Sequence, residues 1–294
     1  MATPAVKNII SSYPKAKITI FGSFVATEIY KNFPHIEKIV IDESKKKGNR
    51  FLNLKKIASS LGSFDIAISF RRSFSSKFLL FFLKSEKKYS YHRLSREKIH
   101  LVKRYNDFIN KSLHLNNSPM DLELFIPKKS YHGDKKLLGL NAGATYGSAK
   151  RWYPNEFASV ATILSKDYDI VIFGGKNELD IAYDIEKILN QNGVNNYKNL
   201  AGKTSIKELC ENISMLDLLV TNDSGPMHIA SAYKIKTITI FGPTMELETN
   251  GWNNSNEIIL RKPMKCAPCM KRECPLGHHE CMKSIKASDV LEKV

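Results

Sequence analysis

The sequence predicts an α/β fold of two domains, each a doubly wound and largely parallel sheet. Three observations predict it. Short β-rich runs alternate with amphipathic helical stretches along the whole chain. Most of the runs are near-continuous Ile, Val and Leu, as suits strands buried on both faces. The chain has 294 residues, and one domain per roughly 150 residues allows two, each large enough to bury a core.

Taken in order, the strands of the first half are residues 17–22 (KITIFG), 38–42 (KIVID) and 64–70 (FDIAISF). Residues 27–33 and 51–61 lie between them with apolar positions at helical spacing. The second half is cleaner, with strands at 136–141 (KLLGLN), 168–173 (YDIVIF), 216–221 (LDLLVT) and 236–241 (KTITIF). Polar and breaker residues cluster at 115–119 and 127–133, which places the linker there and sets domains of 1–130 and 131–294. Two open parallel sheets joined this way are expected to face a cleft. Ligands of such sheets bind beyond the carboxyl ends of the strands, so the chemistry belongs at strand-to-helix turns. No internal repeat or low-complexity tract interrupts the pattern.

Lys and Arg number 45 against 29 Asp and Glu, a net charge of +16. Residues 1–130 hold 25 of the basic and 10 of the acidic residues, and 131–294 hold 20 and 19. One half therefore carries nearly all the excess and is expected to meet an anionic partner. With 43% apolar and 10% aromatic residues the chain is too hydrophobic to be disordered. The longest aliphatic and aromatic run is residues 78–83, six residues against the ~20 of a membrane span, so a soluble or peripheral protein is expected. The opening Met1-Ala-Thr-Pro has neither a basic start nor an apolar stretch, so no secretory signal is expected and disulfides are not the default for the five cysteines.

Three turns carry chemistry. After the strand ending at Asn141, Gly143 and Gly147 allow a tight turn and a close approach to a ligand. Thr145 and Ser148 add hydroxyls there, and Lys150 and Arg151 add cations, giving an anion cradle. It lacks the Gly-Lys-Ser/Thr ending of a nucleotide triphosphate loop; the plainer alternative is a glycine-containing loop with a solvated Lys-Arg pair. The next strand runs through Gly174 and Gly175 to Glu178, whose carboxylate either accepts from ribose hydroxyls or complements a helix dipole. Residues 220–228 (VTNDSGPMH) join a strand to a helix: Asp223 or Ser224 can cap it, Pro226 suits its first position, and the amides of Gly225, Met227 and His228 are left for an anion. His228 could instead be a core histidine.

Near the end, Cys266, Cys269, Cys274 and Cys281, with His278 and His279 among them, have the residue types of a tetrahedral metal site. Their gaps are irregular, so structural zinc stands beside reduced thiols in a compact loop and a redox disulfide.

Together, residues 141–152 (NAGATYGSAKRW), 222–228 (NDSGPMH), 241–244 (FGPT) and the cysteine segment resemble the ADP-heptose:lipopolysaccharide heptosyltransferases of glycosyltransferase family 9, most of all those that add the second heptose of the inner core. The motifs run from about residue 137 to the end, with a weaker likeness before that. The resemblance implies a GT-B architecture of two Rossmann-like domains, the second holding the nucleotide sugar and the first the acceptor. It implies an inverting transfer of heptose from ADP-L-glycero-D-manno-heptose, with no cofactor or catalytic metal required. Lys150 and Asp223 would stabilise the leaving group or donor sugar. Thr145 and Lys150 would contact the pyrophosphate, Glu178 the ribose, and Ser148, Asp223, Ser224, Gly225, Met227 and His228 would complete the donor site. The alternatives are another core-sugar transferase of this fold and an impaired relative that still binds ADP-heptose.

In that family a strand and a Gly-Asp turn precede a Met-Ala-Thr-Pro-Ala helix start, and the Asp is taken as the base that deprotonates the acceptor. Here Met1-Ala-Thr-Pro-Ala5 is that helix start, with Thr3 as its cap and Pro4 as its first residue. The expectation is a chain that begins at an internal Met, its first strand and base lying upstream; otherwise it is a degenerate relative. The acceptor implied is Kdo-lipid A already carrying one heptose, at the cytoplasmic face of the inner membrane, where the protein would be peripheral. Thr3, Arg71 and Arg72 are the acceptor-side candidates. Lys45 to Lys47, Arg50, Lys84, Lys87 and Lys88 are candidates for anionic lipid. The run 78–83 either inserts shallowly or forms a buried crossover helix. A basic nucleic-acid-binding protein is the rival of another class, but no RNA-binding or zinc-finger wording and no aromatic stacking platform accompanies the charge, so no nucleic acid is expected.

Overall fold

A computed structural model describes residues 1–46 and 48–294, in two compact units, Met1–Asp121 and Leu122–Val294. The first unit runs α1 (Thr3–Ser12), β1 (Ile18–Gly22), α2 (Phe24–Glu28), β2 (Ile36–Ile41), α3 (Arg50–Ser60), β3 (Ser63–Ser69), α4 (Phe74–Phe82), β4 (Lys84–Ser90) and α5 (Leu101–Leu113). Asn49 caps α3 by accepting from the amides of Phe51 and Leu52, and Ser73 caps α4 through the amide of Ser76. Its four strands form two parallel pairs, β1 with β2 and β3 with β4. A groove of about 480 Å³ is lined by Thr19 to Gly22 of β1 and by Ile66 to Ser69 of β3. Helices α1 and α5 pack together over a core of Ala5, Tyr91, Phe108, Ile109 and Leu113. Inside that contact Asn8 Nδ2 donates to Asn106 Oδ1 (2.5 Å) and to the carbonyl of Ser118 (2.9 Å).

The second unit runs β5 (Lys136–Asn141), α6 (Pro154–Leu164), β6 (Tyr168–Phe173), α7 (Leu179–Gln191), β7 (Tyr197–Asn199), α8 (Ile206–Ser214), β8 (Leu218–Asn222), α9 (Gly225–Tyr233), β9 (Lys236–Ile240), α10 (Glu246–Thr249), β10 (Glu257–Leu260), α11 (Glu280–Lys283) and α12 (Ala287–Leu291). The strands form one parallel sheet in the order β10-β9-β8-β5-β6-β7. It buries both faces: Leu138, Leu140, Ile170, Ile172, Val220 and Ile238 face one core, and Leu137, Val171, Phe173 and Leu219 face the other. This explains the unbroken aliphatic runs.

Several expectations change. Residues 122–130, assigned by sequence to the first domain, pack in the second unit. There Ile126 is buried with Leu137, and Tyr233 Oη donates to the Ile126 carbonyl (3.0 Å). Residues 78–82 lie in the crossover helix α4, with Leu83 as its C-cap, but the helix is not buried as expected: it has no fully buried residue, and Phe74 and Phe81 are 71% and 74% exposed. Strands β4, β7 and β10 escaped the sequence reading. β4 is the polar run KSEKKYS, paired along one side to β3 with Lys84, Lys87 and Lys88 exposed, as an edge strand tolerates. At the start of the chain Ala2, not Thr3, holds the cap position of α1, and it makes no side-chain bond; Thr3 is the first helical residue and is buried.

Candidate active site

In the second unit the strand order reverses between β5 and β8, where Asn141, the last residue of β5, lies beside Thr221 of β8. Loops leaving the carboxyl ends of strands at such a point form ligand sites. Two buried asparagines bind these loops together. Asn141 Nδ2 donates to Thr221 Oγ1 (3.1 Å) and Ser224 Oγ (2.9 Å). Asn222 donates to the carbonyl of Ala142 (2.6 Å) and accepts from the amide of Trp152 (3.0 Å). Sequence reasoning missed Asn141, Thr221 and Asn222 as site residues. The available signal was a buried-strand pattern that turns polar at its last residues.

The loop of residues 142–153 carries Thr145 and Ser148, both exposed, and ends in a single 3₁₀ turn, Ser148–Lys150. Lys150 is the opposite of a solvated lysine: it is 9% exposed, and its Nζ lies 2.6 Å from Asp223 Oδ2 and 3.2 Å from the Asp223 carbonyl. It also stands 4.7 Å from the centre of the Tyr146 ring, a favourable place for a cation. Asp223 Oδ2 accepts in addition from Thr244 Oγ1 (2.6 Å) and Thr249 Oγ1 (3.4 Å). Thr244, quoted in sequence only as part of FGPT, thus belongs to the site.

Helix α9 starts at Gly225. Ser224 holds the cap position, but its hydroxyl is engaged by Asn141 and does not cap, and Asp223 is committed to Lys150. Pro226 falls at the second helical position, not the first. With no side-chain cap, the first turn keeps its positive end for an anion. Gly225 is exposed and His228 half-buried, while the Met227 side chain is fully buried, which leaves Met227 only its main chain to offer.

Glu178 closes the 3₁₀ turn Lys176–Glu178 before α7 and is 8% exposed. Its Oε2 accepts from the amide of Gly175 (2.8 Å), so the carboxylate turns back on its own loop instead of capping α7. Its Oε1 is buried without a partner. A Cβ on Gly143 would collide with this carboxylate, so the glycine lets Glu178 lie against the 142–153 loop. A buried acceptor left open carries a cost that a hydroxyl-bearing ligand removes.

The cysteine segment braces the same loop. The carbonyl of Arg272 accepts from the amide of Ala149 (3.0 Å) so close to Gly147 that a Cβ there would strike it. Tyr146 Oη donates to the Met270 carbonyl (2.9 Å). His279 Nε2 lies 2.8 Å from the Ala149 carbonyl and its Nδ1 2.9 Å from Tyr153 Oη. The thiols are free. Backbone amides led by that of His279 hold the Cys274 thiol below its usual pKa, and burial pushes that of Cys281 up to about 11, with the other three thiols adding to the effect. Among the described residues no three His, Cys, Asp or Glu side chains stand ready-placed around a metal ion.

In the first unit, Arg71 and Arg72 are exposed just past the carboxyl end of β3, and Thr3 is buried in α1. Lys45 and Lys46 are exposed, Lys46 pairing with Glu43 (2.6 Å); Lys47 lies outside the described residues.

Comparison with known proteins identifies the family and the fold. The model of glycosyltransferase family 9 (heptosyltransferase) matches residues 55–280. The chain is 41% identical over 299 aligned positions to lipooligosaccharide heptosyltransferase 2 of Campylobacter jejuni subsp. jejuni serotype O:2, covering 100% of this chain and 92% of that protein. Among solved structures, a family 9 glycosyl transferase from Veillonella parvula superposes with a TM-score of 0.81 at 21% identity, covering 99% of this chain and 91% of that one. ADP-heptose LPS heptosyltransferase II of E. coli gives 0.79 at 20%, covering 99% and 92%. The expected α/β class with parallel sheets therefore holds.

Proposed function

The chain belongs to glycosyltransferase family 9, the heptosyltransferases, and from that premise we infer that it transfers heptose from ADP-L-glycero-D-manno-heptose to the first heptose of the lipopolysaccharide or lipooligosaccharide inner core. The observation that carries this reading is the full-length similarity to lipooligosaccharide heptosyltransferase 2. The switch-point site supports it, with an uncapped helix terminus beside a buried Lys150–Asp223 pair and an open Glu178 oxygen.

In the reaction a hydroxyl of the acceptor heptose attacks the anomeric carbon from the face opposite ADP. The glycosidic C–O bond forms, the bond to the β-phosphate oxygen breaks with its electron pair, and the hydroxyl proton is lost to a base. Charge grows on the departing diphosphate. The amide end of α9 and the Lys150 ammonium are fixed before reaction, so they stabilise that charge without reorganising. Glu178 accepts from the ribose, and Thr145 and Ser148, exposed on the loop, are placed to donate to phosphate oxygens. Arg71 and Arg72 serve the anionic acceptor.

The acceptor is membrane-bound, and the protein meets that surface peripherally. No described helix is long and apolar enough to cross a membrane. Instead, Phe51 of α3 touches Phe74 and Phe78 of α4 at ring distances of 5.6 and 5.0 Å, with Leu52, Phe74 and Phe81 exposed and Lys55, Lys77 and Lys88 exposed on the same elements or on β4. Aromatic side chains ringed by lysines suit an anionic bilayer surface.

An assay of ADP release with ADP-heptose and a mono-heptosylated acceptor tests the reaction. Release that requires both substrates is expected. Failure to bind ADP or to release it from either substrate would overturn the assignment.

A further inference from the structure

We propose that Cys266, Cys269, Cys274 and Cys281 form a tetrathiolate site for one divalent transition-metal ion, zinc or iron. Four of the five cysteines fall within 16 residues, and all four line a single cavity of about 20 Å³. That is room for about one water-sized occupant. The rest of its wall is Ala149, Pro243, Ala267, Pro275 and Leu276, with His278 and His279 as its other polar residues. A water there would find few partners, whereas a soft cation would find four sulfurs.

The surroundings select thiolates over imidazoles. Both ring nitrogens of His279 are engaged, by Tyr153 Oη and the Ala149 carbonyl, and His278 Nδ1 accepts from the amide of Glu280. Among the described residues no three His, Cys, Asp or Glu side chains, these cysteines included, already stand placed around a metal ion. An ion with metal–sulfur bonds of ~2.3 Å would draw them inward. Four sulfur ligands in tetrahedral array select zinc or iron over magnesium or calcium.

Residues 261–279 contain no helix or strand. Coordination would cross-link this segment to α11 through Cys281, while its backbone holds the 142–153 loop. Binding forms four metal–sulfur bonds and releases the thiol protons to solvent; no electron is transferred.

Elemental analysis of the purified full chain tests the proposal, together with cobalt titration of metal-stripped protein under reducing conditions. One equivalent of zinc or iron per chain is expected, with saturation at one cobalt and thiolate-to-cobalt charge-transfer absorption. Cys274→Ser should lose that absorption, and Cys210→Ala, outside the cavity, should keep it. Added zinc should also shield four thiols of the unaltered chain from alkylation, a readout that needs no variant to fold. Metal-free protein whose four thiols alkylate equally with and without zinc would overturn the proposal, as would a disulfide within the four.

Discussion

Asp223 receives a buried ammonium and two threonine hydroxyls at one carboxylate oxygen, so its removal is felt in both stability and binding. Asp223→Ala leaves the Lys150 charge buried and unmatched, and the expected loss is about 3–5 kcal/mol of unfolding free energy in urea. Replacing both partners by apolar residues, Lys150→Met with Asp223→Leu, should regain most of that loss and still fail to restore ADP affinity in calorimetry. Recovery of ADP affinity would show that the pair has no part in anion binding. Gly143→Ala acts first on Glu178, whose carboxylate holds the three atoms nearest the added Cβ. Its methyl group displaces a carboxylate that otherwise accepts from Gly175, and a hydrogen bond to a charged group contributes about 1.5–3 kcal/mol. ADP should bind at least about tenfold more weakly; unchanged affinity would exclude Glu178 from the nucleotide site.

At the scale of elements, Gly147→Ala separates two roles of the 142–153 loop. The Arg272 carbonyl leaves no room for the added Cβ, and because the obstacle is backbone, the loop or the cysteine segment must move. A cost of about 1–3 kcal/mol is expected in urea, with weaker ADP binding because Lys150 follows three residues later. Loss of stability alone would mean that the brace does not set the loop's binding geometry. How much of this was legible in sequence depends on burial. β5, β6, β8 and β9 have sheet neighbours on both sides and were readable as aliphatic runs. β4 was not: β1, β2 and β3 are also paired on one side only but keep apolar runs, whereas β4 is the polar run KSEKKYS. β7 has three residues, too few to show a period. The site followed the same logic. Glycines, Lys150 and Asp223 announced a turn with charge, but the Lys150–Asp223 contact spans 73 positions and the Asn141 and Asn222 bonds span about 80. Only the adjacency of β5 and β8 brings these together, and no local pattern encodes it. Arg272, exposed in a chain segment without regular structure, gave no sign that its carbonyl would brace the 142–153 loop.

For the whole molecule, the proposed function assigns the uneven charge to two kinds of recognition. The first 130 residues hold 25 basic against 10 acidic residues and the remainder is almost balanced, yet the remainder has the buried cation and the helix terminus suited to a diphosphate. Placed groups in a dry site do not need net charge, because low local dielectric strengthens each of them. A lipid surface has no fixed geometry and rewards the number of charges, about 1 kcal/mol for each basic residue near it, within a Debye length of ~8 Å at physiological salt. The two affinities should therefore respond differently to salt. Binding to vesicles containing anionic lipid, followed by flotation, should weaken steeply as salt rises and be absent from neutral vesicles, while ADP affinity changes little. Phe74→Ser with Phe81→Ser removes the two most exposed aromatic side chains of α4. Each contributes at most about 1.5–3 kcal/mol if fully inserted, so the double variant should lose at least tenfold in vesicle partitioning and keep ADP binding. Equal binding to neutral and anionic vesicles, or full retention by the double variant, would remove the first unit's aromatic and basic surface as the membrane contact and leave its charge to the acceptor alone.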